Sequence, residues 1–282
     1  MEQENVGEAF APSHISGIFV IDIKKDAGHS GSTGCGICLE AGAITKVCAS
    51  EKMTLRINDV VSEAPTTFSA IRLLTSQPVL VETRLNVPIG CGFGASGSGA
   101  LSTALALNEA LSMNLALNEL ARAAHIAEVM NRTGLGDVTG QTFGGIVIRK
   151  KAGAPSSANI DRIPCKDIPI SWVSFGEIPT KSILSDKLKK KAINKAGKSR
   201  LKELLKRPTL ENFFQQSCAF AEDIELMGAK VKDAIEAVRA AGGFASQAML
   251  GNMVFAINDK GALSEFGEVH ESRISHAGAH LV

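Results

Sequence analysis

The sequence contains no tyrosine and one tryptophan, and aromatic residues make up 5% of its 282 positions. A protein that grips single-stranded nucleic acid by stacking bases on rings needs more platforms than that. An excess of charge is missing too. The formal net charge is +1, so no strong field points to a polyanion or an anionic membrane surface. No apolar run approaches the roughly 20 residues that cross a bilayer as a helix. The opening segment, MEQENVGEAF, lacks a basic stretch followed by an apolar one. It does not read as a secretory signal, and a cytoplasmic location is expected. No internal repeat and no low-complexity linker interrupts the chain.

What is there is ordinary in bulk: 45% hydrophobic and 21% charged residues, enough for one large domain or two modest ones. The six cysteines, Cys35, Cys38, Cys48, Cys91, Cys165 and Cys218, are expected as thiols in a reducing compartment. Cys35 and Cys38 form a lone C-x-x-C with no second pair or nearby histidine. That is a weak zinc signal, and small semi-buried residues are the better reading.

Alternating or apolar runs predict strands at Ser16–Ile23, Ile37–Leu39, Ala43–Val47, Met53–Val61 and Val79–Val87, with a turn at Glu40 to Gly42. DAGHSGSTGCG, Asp26 to Gly36, reads as a loop. Helices are predicted over Phe68–Leu74, after the glycines at 90–99, and from an Asn118 cap to about Met130. A glycine-rich turn, TGLGDVTG, leads to a strand over Gly145–Lys150. Strands first and helices after suggest α+β rather than alternating βαβ units. The polar stretch KAGAPSSANIDRIP, 151–164, is the candidate boundary between two lobes, 1–160 and 161–282. The second half opens with a strand, Ile170–Phe175. Helices follow, with breaks expected near Gly197, Pro208 and Gly228, and a strand at Val254–Ile257 closes a hairpin after Gly242-Gly243. Ten Lys or Arg lie between Lys187 and Arg207. They share helices with Leu188, Leu201, Leu204 and Leu205, so a solvated face is expected rather than a nucleic-acid patch.

The most informative segment is PIGCGFGASGSG, Pro88 to Gly99, with five glycines in its last ten residues. Such a run disfavours helix and strand interiors and lets backbone N–H groups approach a ligand. A helix beginning near Ser96 or Gly97 adds its unsatisfied N–H groups and positive dipole end. Loop plus helix start is an anion site, and phosphate is its usual occupant. The pattern is neither a Walker A loop nor a dinucleotide fingerprint. Pro88, Gly90, Gly92, Gly94, Ser96, Gly97 and Ser98 are the candidate phosphate-binding residues. Ser96 and Ser98 can each offer a hydroxyl to phosphate or to Mg2+.

Phosphate chemistry also needs carboxylates. Glu128 lies near a helix end, with His125 one turn earlier on the same face, and Asp137 follows nine residues later in the glycine turn. Taken alone, Asp137 could be a turn former and Glu128 a surface residue. Taken alone, Arg149, His125 and Ser32 read as a solvated strand end, a core or capping histidine and a turn serine. His29 and His14 rank lower, and His270, His276 and His280 lie in a tail without metal-like context.

The glycine loop resembles the P-x-x-x-G-L-G-S-S-A motif of the GHMP kinase superfamily. Pro88, Gly92, Phe93, Gly94 and Ser96 fall in register, with Ala95 and Gly97 as departures. APSHISGIF, from Ala11, is similar to the family's N-terminal motif without its frequent Lys or Asn. ASQAMLGNMVFAI, from Ala245, stands where its C-terminal motif would. GSTGCG and AEVMNRTGLGDV look like the archaeal pantoate kinases of coenzyme A synthesis. The resemblance implies a two-lobed α+β fold. Its N-terminal lobe would be like the second domain of ribosomal protein S5, its C-terminal lobe ferredoxin-like, and ATP would lie between them. It further implies Mg2+ on Glu128 with Ser96 or Ser98, and Asp137 facing the substrate hydroxyl. Ser32, His125 and Arg149 would hold pantoate, and a homodimer is possible. Another small hydroxy acid or alcohol as substrate (homoserine, shikimate, mevalonate), or a ligand sensor without turnover, are the alternatives.

Overall fold

The structure, a computed structural model, describes residues 5–176 and 187–282. Its frame is a long antiparallel hairpin of β1, Gly7–Asp22, and β2, Gly31–Ala49. The segment expected to be a loop from Asp26 to Gly36 is mostly strand. Only a 3-10 turn at Ala27–His29 separates β1 from β2. The expected turn at Glu40 to Gly42 is a bulge instead. Pro12 pairs with Gly42 and Ser13 with Leu39, leaving Glu40 and Ala41 without partners opposite. The bulge lets the two halves of β2 serve different neighbours. Ala43–Ala49 pair with β5, Val79–Leu85, and Gly34–Ile37 pair with β6, Ile146–Lys151.

Strands β3, Thr54–Ile57, and β4, Val60–Val61, split the single strand expected over 53–61 into a small hairpin. β3 runs parallel to β5, and β7, Asn159–Ile163, pairs with β6. β12, His280–Leu281, returns to pair with Ala9 and Phe10 of β1. The eight strands thus form one sheet in the order β12-β1-β2-β5-β3-β4, with β6 and β7 branching from β2.

Helices α1, Pro65–Leu74, α2, Ala95–Ala110, and α3, Leu117–Asn131, cover this sheet. Asn118 is not the cap of α3. That place is Ala116, whose N–H donates to the Glu119 carboxylate at 3.0 Å. Helix α2 is buried on nearly every side, because small residues let neighbours approach. A Cβ at Gly7 of β1 would run into the Ala106 backbone. Its buried Ser102 and Thr103 donate back to the carbonyls of Ser98 and Gly99, at 2.8 and 2.6 Å.

The second sheet has the order β11-β8-β10-β9: β8 is Pro169–Ser174, β9 Phe244–Gln247, β10 Met253–Ile257 and β11 His270–Arg273. Helices α5, Lys187–Lys206, α6, Leu210–Asp223, and α7, Ala229–Ala240, accompany it, while the short α4, Asp137–Phe143, belongs to the first half. No break occurs at Gly197. The glycine is there because α5 lies so close to β1 that a Cβ would strike the Phe19 carbonyl and come within 2.9 Å of Val20. The buried face of α5 is Ile193, Ala196 and Leu204, whereas Leu188 and Leu205 are exposed. One apolar core, with Phe93, Trp172, Phe213, Phe214 and Phe255, joins both sheets. A second, built mostly of Ala, Val and Leu with Ile71, fills the space between the first sheet and α1–α3. Among the described residues no helix is long and apolar enough to cross a membrane.

Candidate active site

A cavity of about 330 Å3 opens where β1, β2, the glycine loop, the turn before α4 and the β9–β10 turn converge. Gly90, Gly92 and Gly94 line it, all with positive φ (77°, 92° and 60°) that a side chain would strain. Gly94 is the N-cap of α2 and supplies no side-chain cap. The first N–H groups of α2 have no intrahelical acceptor, and Ala95 and Ser96, which carry two of them, line the cavity. Pro88 is exposed and stands upstream, away from the cavity lining.

Of the two candidate serines, Ser96 lines the cavity and donates to Glu128 Oε1 at 2.8 Å. Ser98 is fully buried, and its hydroxyl is used on the Ala95 carbonyl at 3.1 Å. Glu128 comes from the last turns of α3 and is 1% exposed. Its Oε2 is buried and finds no partner. Burial, and secondarily the charge of Asp137, push this carboxyl up to about 8, against the pull of the Ser96 hydroxyl. Gly97 and Gly134 crowd it; a Cβ on Gly97 would lie 3.1 Å from its Cδ.

The glycine turn before α4 also differs from expectation. Asp137 is the first residue of a helix, not a turn residue, and it lines the cavity opposite Gly94. A Cβ on Gly94 would come within 2.9 Å of the Asp137 Cβ, so the glycine is what lets loop and helix meet. Asp137 Oδ1 is 2.7 Å from His14 Nδ1, and His14 Nε2 is 3.1 Å from an Arg149 NH1. Arg149 NH2 reaches Ser16 Oγ at 3.4 Å.

Arg149 lies within β6 rather than at its end, and it is 1% exposed with its Nε unpartnered. Burial lowers its pKa, while Asp137 opposes the shift. The cavity wall in front of that Nε is Gly136. A Cβ there would lie 2.6 Å from both Arg149 Nε and Ser32 Oγ. Ser32 and Ser16 line the cavity at this point. Neither Glu128 nor Arg149 is among the residues that line the cavity; both are buried behind it. The structure does not bring His125 to that surface either. Its Nε2 is 2.8 Å from the Ser30 carbonyl, which ties the start of β2 to α3, and burial pushes the imidazole below its ordinary pKa.

The lining also contains residues that the sequence reading did not select: Arg132, Thr133, Phe19, Met249 and Leu250. TGLG carried a signal in its glycines; Phe19, Met249 and Leu250 carried none, because apolar residues on strands and turns look like core.

The donor set decides which cation suits the site. Among the described residues no three His, Cys, Asp or Glu side chains converge as a protein-only metal cage. One carboxylate with a buried, unpartnered oxygen beside one hydroxyl, next to the glycine loop, is a donor set of oxygens that fits an oxygen-seeking ion.

Comparison with known proteins agrees with this geometry. The family model described as the GHMP kinases N terminal domain matches residues 58–145. The chain is 35% identical to the pantoate kinase of Methanocaldococcus jannaschii, over 91% of this chain and 94% of that one. It is 34% identical to the pantoate kinase of Thermococcus kodakarensis, over 88% and 86%. A solved structure described as a phosphotransferase related to the CoA biosynthesis pathway superposes with a TM-score of 0.89 at 28% identity, covering 98% of each chain. The homoserine kinase of Cytophaga hutchinsonii shares the fold, with a TM-score of 0.71 at 15% identity over 100% and 99% of the two chains.

Proposed function

The chain belongs to the GHMP kinases, in the group of the pantoate kinases, and on that premise we propose that it transfers the terminal phosphoryl group of ATP to the primary hydroxyl of (R)-pantoate, giving ADP and 4-phosphopantoate. The observation that supports this most is the span of one cavity. An anion-binding loop lies at one end, and Ser32 with Arg149 Nε lies behind Gly136 at the other, with Asp137 between them.

Phosphoryl transfer asks the protein for charge stabilisation and positioning rather than covalent chemistry. The loop N–H groups and the start of α2 receive the phosphates. Ser96 and Glu128 would hold Mg2+, which supplies charge neutralisation on the phosphate oxygens when bound. Asp137 accepts the hydrogen bond of the attacking hydroxyl and aims its lone pair at the phosphorus. Ser32 and Arg149 take the carboxylate of the substrate, with the planar guanidinium fixing its orientation. His125 supports the wall that carries Ser32 by holding the Ser30 carbonyl. Met249, Leu250, Ile89 and Phe93 supply the apolar surface.

The same lining argues against an amino acid such as homoserine. Asp137 is the one acidic side chain among its residues, and it is committed to the hydroxyl. Among the described residues the remaining carboxylate nearby, Glu128, is bonded to Ser96 and assigned to the cation, so an ammonium group would find no free acid, and its burial without a partner is costly. An ADP-release assay with pantoate, homoserine, shikimate and mevalonate tests the assignment. Pantoate should give the highest kcat/KM of the four, with homoserine lowest because its ammonium group loses water without gaining a partner. Comparable turnover of homoserine would show that the substrate is another.

Arg149→Ala separates the two ends of the cavity. It should raise KM for pantoate by about one to two decades, matching the roughly 1.5–3 kcal/mol of a hydrogen bond to a charged group. KM for ATP should move less than about threefold. Steady-state kinetics with each substrate varied in turn decide the point. A selective rise in KM for ATP would put Arg149 on the nucleotide side.

A further inference from the structure

His14 touches Asp137 yet has no part in the roles above. Its side chain is wholly buried, and both its ring nitrogens are already engaged by protein groups, Asp137 and Arg149. It nevertheless stands where three parts of the site join. Its backbone N–H donates to the Phe93 carbonyl of the glycine loop at 2.9 Å. One ring nitrogen faces Asp137 of α4, and the other faces Arg149 of β6. Two glycines make room for the ring. A Cβ on Gly36 would lie 2.6 Å from its Cε1, and one on Gly140 would lie 2.7 Å from its Nε2.

The tautomer follows from the partners. A guanidinium has donors only, so Nε2 accepts from Arg149 NH1. The remaining proton of a neutral imidazole is then on Nδ1, and it donates to Asp137 Oδ1. A doubly protonated ring would set an N–H against the guanidinium. Burial works in the same direction, lowering the pKa of His14 despite the pull of Asp137.

We propose that His14 is the positioning residue of the phosphoryl transfer. Its Nδ1–H holds one oxygen of Asp137, and Arg149, by occupying Nε2, keeps the ring in the tautomer that does so. The other oxygen of Asp137 is thereby left for the substrate hydroxyl in a fixed orientation. One guanidinium then serves both ends of the hydroxy acid: the carboxylate through Nε, and the acceptor of the hydroxyl proton through NH1 and the ring. The proposal rests on the reading of Asp137 as that acceptor.

Two substitutions part the two ring nitrogens. His14→Asn can place an amide donor at the position of Nδ1, and His14→Gln puts its amide at the position of Nε2, leaving Asp137 unheld. His14→Gln should lower kcat about tenfold to a hundredfold, the effect of one charge-assisted hydrogen bond, with KM for ATP unchanged. His14→Asn should lose less than about fivefold, because the same bond is kept. In an Asp137→Asn background, His14→Gln should cost less than about threefold more, since residues acting as a unit are not additive. Equal losses in the two variants, or full additivity with Asp137→Asn, would overturn the proposal and leave the ring as packing. Near-normal turnover of Asp137→Asn by itself would instead remove the reading on which it rests.

Discussion

Glu128→Gln should stop turnover and at the same time produce a nucleotide-free protein that melts higher than the wild type in alkaline solution. The loss of activity is expected on the order of a thousandfold, as for removal of one preorganised electrostatic group from an active site. The gain in stability comes from the burial of the carboxyl. Its pKa is raised from the ordinary 4.5 to about 8 in the folded protein, by burial first and Asp137 second. Between those two values the folded state binds the proton that the unfolded state has released. Stability from this group is therefore complete below about pH 4.5 and is lost as pH rises through about 8. Glutamine carries no charge at any of these values and escapes the loss. Melting curves in chelator from pH 4.5 to 9 should diverge, with the variant ahead at the alkaline end and level at the acid end. Addition of Mg2+ and nucleotide should raise the wild type more than the variant. Parallel curves across the range would show that Glu128 is not under strain in the empty site.

Gly94→Val should abolish nucleotide binding without unfolding the chain. Three effects coincide at this residue. Its φ of 60° is strained for a β-branched residue, at a cost of about 1–3 kcal/mol. The new Cβ would lie 2.9 Å from the Asp137 Cβ and 3.0 Å from Gln141 Nε2, so loop and α4 must part. Gln141 Nε2 would also lose its 2.9 Å bond to the Gly94 carbonyl as they do. ATP affinity is expected to fall by at least about a hundredfold, equivalent to about 2.7 kcal/mol. Asp137 would be displaced in the same movement, so turnover should vanish even at saturating ATP. Calorimetry on the folded variant measures the first effect, and unchanged affinity there would show that the phosphates lie elsewhere.

The parts of this site legible in the sequence are those written in glycine. PIGCGFGASGSG announced a backbone that approaches something, and TGLGDV announced a second such place; the structure packs one against the other through Gly94 and Asp137. Glu128 is one carboxylate among many by itself, and resemblance is what ranks it. Its helical position says nothing of the Ser96 hydroxyl, 32 residues away in sequence, that meets it. His14 ranks low in the sequence for a related reason. It sits in a strand of apolar neighbours, and its partners Asp137 and Arg149 are 123 and 135 residues distant. In the fold, the misread stretches were those where a local signal had a tertiary cause. Gly197 resembled a helix break but is a contact with Phe19. Glu40-Ala41-Gly42 resembled a turn but is a bulge in a strand held on both sides. The serines and glycines of 31–36 resembled a loop because close neighbours, including the ring of His14 over Gly36, leave no space for larger side chains.

The pairing of β12 with β1 bears on how the molecule is assembled during synthesis. Ala9 and Phe10 lie beside Leu281 and His280, so β1 keeps this short margin free until β12, about 270 residues later in the sequence, has been made. Throughout elongation that margin is a row of open backbone donors and acceptors, which invites strands from neighbouring nascent chains. Helix α5 reaches β1 late as well. Slow translation after β7 would prolong this exposure, and a polypeptide released early would carry both open surfaces permanently.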